Sequence, residues 1–145
     1  MQIDKKALSH LTTEIEIKVP FYDLDPMNVV WHGNYVKYFE KARCALLEKY
    51  DYDYVQMRDS GYMWPIIDMR LKYVNYASFG QVVKCRATIT EVENRLKIEY
   101  LIYCPESGKR LTKGYTMQVA VDLETMEMQL VSPSVLKERL GVNCA

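Results

Sequence analysis

Alternation of apolar and polar side chains recurs five times along this chain, and it restricts the fold more than any other feature. Residues 14–19, EIEIKV, put Ile15, Ile17 and Val19 on one side and Glu14, Glu16 and Lys18 on the other. In 66–76, IIDMRLKYVNY, the apolar set is Ile67, Met69, Leu71 and Tyr73, opposite Asp68, Arg70 and Lys72. Residues 81–91 alternate Val83, Cys85, Ala87 and Ile89 with Lys84, Arg86, Thr88 and Thr90. Residues 95–104 set Leu96, Ile98, Tyr100 and Ile102 against Arg95, Lys97 and Glu99, and 115–123 set Tyr115, Met117, Val119, Val121 and Leu123 against Thr116, Gln118 and Asp122. Successive side chains of a strand point to opposite faces, so the pattern predicts five strands in a largely antiparallel sheet with one buried face. The joints YASFG, EVENR and PESGK carry the residues that turns need.

One segment follows a different period. In HGNYVKYFEKARCALLEKY, 32–50, Tyr35, Phe39, Ala42 and Leu46 fall on one helical stripe, with Lys37, Lys41 and Glu48 opposite. Such a rod, about 25 Å long, matches the width of a five-stranded sheet, so the helix is expected to lie across it. A short helix around 51–60 and a C-terminal one from Ser132, with Ser132 as N-cap and Pro133 in the first turn, complete the reading. No repeat or linker interrupts the chain, and 145 residues suffice for one core. The expectation is a single α+β domain over 1–145.

Lys plus Arg and Asp plus Glu both total 19, so no global field draws in nucleic acid or a membrane surface, although a local basic patch can still hold an anion. No stretch has the apolar length of a signal peptide or a membrane span. Four scattered cysteines suggest reduced thiols of a cytoplasmic protein, with Cys44, Cys85 and Cys104 packed and Cys144 exposed. His10 and His32 stand far apart and no cysteine pair exists, so no metal constellation is expected. ESGKR is too short for a phosphate-cradling loop, and no GxSxG elbow occurs.

The segment before the helix narrows the possibilities. YDLDPMNVVWHGNYVKYFEKAR resembles the signature of the 4-hydroxybenzoyl-CoA thioesterase-like acyl-CoA thioesterases, D-x-D-x-x-G-x-V-x-(H/Y)-x-x-Y followed by an acidic residue and an Ala-Arg pair. WPIIDMRLKYVNYASFG resembles that family's proline-bearing second strand, and the similarity spans roughly residues 12–135. The resemblance implies a hotdog fold, a long central helix wrapped by a curved, mainly antiparallel sheet of five or more strands. It implies Asp25 as the catalytic aspartate and His32 as the His/Tyr position at the helix entrance. Asp23 matches the first aspartate of the pattern, which is read as an Asx-turn or loop-bracing residue. Asn28 departs from the family's glycine; asparagine tolerates positive φ, so the turn is expected to survive while a side chain is added beside the acyl pocket.

The chemistry expected is hydrolysis of an acyl-CoA thioester. Free amides near His32 and Gly33 would hold the developing oxyanion, and Asp25 would serve as nucleophile or as general base on water. His32 is expected to bind substrate or the attacking water, or simply to orient the loop. Glu40 lies off the apolar stripe and is expected in a salt bridge or interface. Asn28, Tyr35 and Trp64 are candidates for the acyl pocket, beside Tyr38, Phe39 and Tyr62. Lys84, Arg86, Arg95 and Lys97 are candidates for the coenzyme A phosphates. No cofactor is implied, since coenzyme A enters as part of the substrate. Exposed sheet edges and the resemblance imply a homodimer as the minimum unit and often a homotetramer. Alternatives are an acyl-carrier-protein thioesterase, an enoyl-thioester hydratase, or a non-catalytic acyl-thioester binder.

Overall fold

A computed structural model describes residues 5–142. Strand β1 (Thr12–Lys18) leads through a loop into α1 (Asn34–Lys49), followed by α2 (Tyr54–Asp59), β2 (Tyr62–Met63), β3 (Ile66–Tyr73), β4 (Val82–Glu91), β5 (Leu96–Tyr103), β6 (Arg110–Gln118), β7 (Val121–Asp122) and α3 (Ser134–Leu140). The five long strands form one antiparallel sheet in the order β1-β4-β5-β6-β3, and β2 pairs with β7 separately. This is the hotdog arrangement expected from the sequence, with α1 across one face.

The helix stripe explains the packing. Tyr35, Tyr38, Phe39, Ala42, Leu46 and Leu47 are all buried. On the sheet, Val83, Cys85, Ala87, Ile89, Leu96, Ile98 and Ile102 meet them, as the alternation required. At the centre Phe39 stacks on Tyr100, with ring centroids 4.4 Å apart. Strand β3 keeps the expected parity, but as an edge strand it is only partly covered, and Ile67 and Tyr73 remain half-exposed.

Four expectations need correction. The last strand runs Arg110–Gln118, not 115–123, and its faces are reversed: Thr112, Thr116 and Gln118 are buried, while Tyr115 and Met117 lie on the outer side. Close packing against β3 and the Phe39–Tyr100 stack explains this. A Cβ at Gly114 would come 2.0 Å from Arg70 O and 3.0 Å from the Phe39 ring, and Thr116 meets the Tyr100 hydroxyl at 2.7 Å, so only small or hydrogen-bonding residues fit inward. Outside, Tyr115 is covered by Lys97, 4.7 Å above its ring, and donates to Asp68. Second, β3 stops at Tyr73 rather than reaching residue 76. Third, α3 starts at Ser134 with Pro133 at the N-cap; the Ser132 amide donates to Glu93 O instead of opening the helix. Fourth, Cys85 and Cys104 are buried but Cys44 is exposed on α1; Cys144 lies outside the described residues. No helix among the described residues is long and apolar enough to cross a membrane.

Candidate active site at the helix entrance

The chain enters α1 through a miniature hairpin. The Asp25 amide donates to Val29 O at 2.9 Å and the Asn28 amide to Asp25 O at 3.0 Å. Closing so tight a turn puts its last residue in the left-handed region, and Asn28 sits at φ 62°. Asparagine thus does glycine's work here, as the sequence suggested. The hairpin rests on residues 77–78: Val30 donates to Ala77 O, and Ala77 donates to the Tyr35 hydroxyl at 3.0 Å. Tyr35 is therefore a buried brace beneath the loop. Burial pushes its hydroxyl upward from the usual pKa, the Ala77 amide opposes this, and the Tyr73 hydroxyl and Asp25 carboxylate add to the rise. The Asp25 charge is thus felt at the first turn of α1.

Two aspartates divide the labour. Asp23 is 3% exposed; its Oδ1 accepts from Lys37 Nζ and its Oδ2 from the Tyr38 hydroxyl, both at 2.7 Å. Burial alone would raise its pKa, but those bonds, with the charges of Lys37 and Lys41, outweigh it and hold the carboxyl below its ordinary value. The Asp23 carbonyl also accepts from the Trp31 amide and Asn34 Nδ2, so this residue fixes the loop to the helix, as a loop-bracing aspartate should. Asp25 is half-buried. Its Oδ1 accepts from the Met27 amide at 2.8 Å, and Oδ2 has no donor among the described residues.

The helix entrance supplies unspent donors. Gly33 is the N-cap without a side-chain cap, and among the described residues neither the His32 nor the Gly33 amide donates to a protein acceptor. A Cβ on Gly33 would sit 2.2 Å from the Trp31 indole, so that ring's position requires glycine. The Tyr73 hydroxyl donates to His32 O at 2.9 Å. In a planar trans peptide the N–H points opposite to the C=O, so Tyr73 aims the Gly33 amide. Sequence reasoning had counted Tyr73 only among the apolar set of β3. The His32 imidazole is exposed, resting against Trp31 and edge-on to Tyr73.

Two concavities accompany this entrance. A cleft of about 640 Å³ opens along the other end of α1, lined by Arg43, Leu47, Met57, Tyr62, Trp64 and Gln118 among others. It places Trp64 with the apolar candidates, whereas Tyr35, Tyr38 and Phe39 are core. Glu40 is ion-paired to Arg43, one of the lining residues. A second groove, about 590 Å³, lies on the outer sheet face and gathers Arg70, Lys72, Arg86, Arg110 and Lys113. Of the four cations singled out in the sequence, only Arg86 lines it. Lys84 and Arg86 share Glu14, Arg95 is paired with Glu91, and Lys97 covers Tyr115. The four missed cations come from β3 and β6, and only sheet register brings them together with Arg86 of β4. Among the described residues no His, Cys, Asp and Glu group could hold a metal.

Comparison with known proteins agrees with this architecture. The acyl-CoA thioesterase YbgC of Helicobacter pylori is 31% identical, over 63% of this chain and 67% of its own. The DHNA-CoA thioesterase of Staphylococcus aureus is 26% identical and superposes with a TM-score of 0.72, over 81% of this chain and 78% of that one. Slr0204 of Synechocystis, a 1,4-dihydroxy-2-naphthoyl-CoA thioesterase, shares the fold with a TM-score of 0.80 at 20% identity, over 90% of this chain and 96% of that one. The sequence model of the thioesterase-like superfamily matches residues 19–140, which carry the aspartate loop, α1 and the whole sheet beyond it, and the chain belongs to that family.

Proposed function

We propose that this thioester hydrolase acts on acyl-CoA and that Asp25 drives the reaction. One observation carries the reading: the Asp25 carboxylate, with Oδ2 unengaged, stands in a loop fixed to the first turn of α1, where Tyr73 aims the free Gly33 amide. The thioester carbonyl accepts from that amide and gains charge as oxygen adds to its carbon. Asp25 either attacks directly, giving an anhydride that water opens, or takes a proton from the attacking water. In both routes the C–S bond breaks, the thiolate leaves and is protonated, and the acid is released. The exposed His32 ring, set against Trp31 and Tyr73, is free to contact substrate.

The cationic groove suits the phosphates of coenzyme A. Four of its five cations have no ion pair among the described residues, and Lys72 adjoins Tyr73, at the edge leading round to the helix entrance.

The acyl cleft suits a dimer. Trp64 lies just before β3 and Tyr73 ends it, so within one protomer the cleft and the aspartate loop sit at opposite ends of the edge strand. Antiparallel pairing of β3 with a second copy sets each cleft beside the other copy's loop. It also covers Ile66, Ile67 and Tyr73, which are 37%, 52% and 49% exposed. A tetramer of two such dimers is the further assembly proposed.

Thiol release from short, long and aromatic acyl-CoAs tests the reading, with carrier-protein thioesters as a parallel panel. Turnover abolished by Asp25→Ala supports it. Tight coenzyme A binding without thiol release replaces it with the binder, and hydration of a crotonyl thioester with the hydratase.

A further inference from the structure

Charge follows a simple rule across the long sheet and breaks it once. Residues directly opposite on antiparallel strands share a face, where unlike charges attract and like charges repel. Three charged register pairs obey: Glu14 with Arg86, Glu16 with Lys84, and Glu91 with Lys97. The fourth sets Lys72 of β3 against Lys113 of β6. Both lysines are exposed, and both line the groove on the outer face with Arg70, Arg86 and Arg110. Glu99 in the lining and Glu14, paired with Arg86, offset two of these five cations, so positive charge is in excess. A repulsive pair does nothing to hold β3 on β6. A local cost of this kind points to an anion that the chain itself does not supply.

A concavity of about 590 Å³ has the size of a small-molecule site. Beside the cations it offers an apolar floor, with Leu101 opposite Lys113 on β5 and Tyr115 two residues further along β6. Charge and floor together fit a purine nucleotide with several phosphates. Resting on the thioesterase reading, we propose that the groove holds the 3′-phosphoadenosine end of coenzyme A, that Lys72 and Lys113 share its 3′-phosphate, and that this pair selects coenzyme A over carrier-protein thioesters. The 3′ group is the one phosphomonoester of coenzyme A, with close to two negative charges, and so matches two opposed lysines. Each phosphate of the 5′-diphosphate carries only one. A carrier-protein arm ends in a single phosphodiester without a purine, which leaves the lysine pair unmatched.

The test compares kcat/KM for octanoyl-CoA, octanoyl-3′-dephospho-CoA, octanoyl-pantetheine and the octanoyl carrier protein. Octanoyl-CoA is expected to be preferred about tenfold or more over the dephospho compound, and Lys72→Met combined with Lys113→Met is expected to bring that ratio close to one. A ratio within one enzyme is insensitive to the fraction folded, so partial misfolding does not mimic the result. Lys113→Met alone is expected to leave the urea midpoint unchanged or raise it, since it relieves the repulsion; a lysine kept for the fold would lower it. The same site is read without turnover by calorimetric titration with adenosine 3′,5′-bisphosphate and with AMP. Tighter binding of the bisphosphate, lost in the double variant, with no thiol release from any thioester would sink the thioesterase reading and uphold the groove. A wild-type ratio near one, a ratio that survives the double variant, or a preference for the carrier protein overturns the proposal. If the ratio survives and the sedimentation mass falls instead, the lysine pair belongs to a contact between copies.

Discussion

Asp23 and Asp25 share a loop and a chemistry, yet the fold treats them oppositely. The hairpin entry turns Asp23 inward beneath α1, where both carboxylate oxygens and the carbonyl are committed. Asp25, two residues on, is half-buried and commits only Oδ1. On the proposed function, the difference teaches that reactivity follows from the number of oxygens left unspent, not from residue type or depth. A satisfied carboxylate anchors; a half-satisfied one in the loop that leads to free amides is proposed to react.

Exchanging charge for amide at each position breaks this comparison most directly. Asp25→Asn is expected to lower kcat/KM by about 10²–10⁴-fold, measured as thiol release, while urea unfolding stays near wild type because the Asn side-chain oxygen can still accept from Met27. Asp23→Asn is expected to do the reverse, costing about 2 kcal/mol of stability through the lost bonds to Lys37 and Tyr38. The acid limb separates them further. The Asp23 carboxyl is held below its ordinary value of 3.8 in the folded state, so the unfolded chain binds the proton more readily. Its stabilisation is complete above that value and fades as pH falls through the lower folded one. Wild-type unfolding free energy should drop in that window, and the Asp23→Asn curve should be flatter there. Equal acid limbs would show that the Lys37–Tyr38 pocket does not carry the anchoring.

Much of this was readable before any coordinates, for a physical reason. Strand alternation and the α1 stripe are local patterns, and they located four of the five long strands and the helix. The αL demand at Asn28 is local too, as is the aspartate loop, whose similarity to the family covers both carboxylates. What escaped depends on contacts between distant segments. Gly114 and Thr116 face inward because the β3 backbone at Arg70 and the Phe39–Tyr100 stack leave room for nothing larger there, and no periodicity in 110–118 announces it. The cationic groove draws Arg70, Lys72, Arg86, Arg110 and Lys113 from β3, β4 and the start and middle of β6, and the polar strand faces that offer Lys84, Arg86, Arg95 and Lys97 do not reveal which strands lie side by side. Gln118 looked like an outward polar residue until the strand parity reversed.

Tyr73 sharpens the contrast between anchoring and reacting groups, because it touches the site only through a peptide. Its hydroxyl holds His32 O, and through that peptide it directs the Gly33 amide. Tyr73→Phe keeps the ring against Tyr35 and His32 but removes the grip. The expected outcome is a roughly tenfold fall in kcat with KM little changed, since an amide aimed at the oxyanion acts mainly in the transition state. A rise in KM alone would instead make Tyr73 a substrate contact.

The smallest effect is expected at Asn28, and it asks whether backbone geometry alone selects the residue that closes the Asp25 turn. At φ 62° an L side chain is strained unless it is asparagine, aspartate or glycine. Asn28→Gly relaxes the folded turn but gives the unfolded chain more freedom, and the two nearly cancel, leaving stability within about 0.5 kcal/mol of wild type. Asn28→Ala keeps the Cβ and loses the compatible side chain, so it should cost about 1 kcal/mol. It should also slow thiol release, because the amide that binds Asp25 O belongs to this residue. If glycine proves as harmful as alanine while both variants unfold like wild type, the Asn28 side chain acts on the acyl group itself, and the turn is not what chose it.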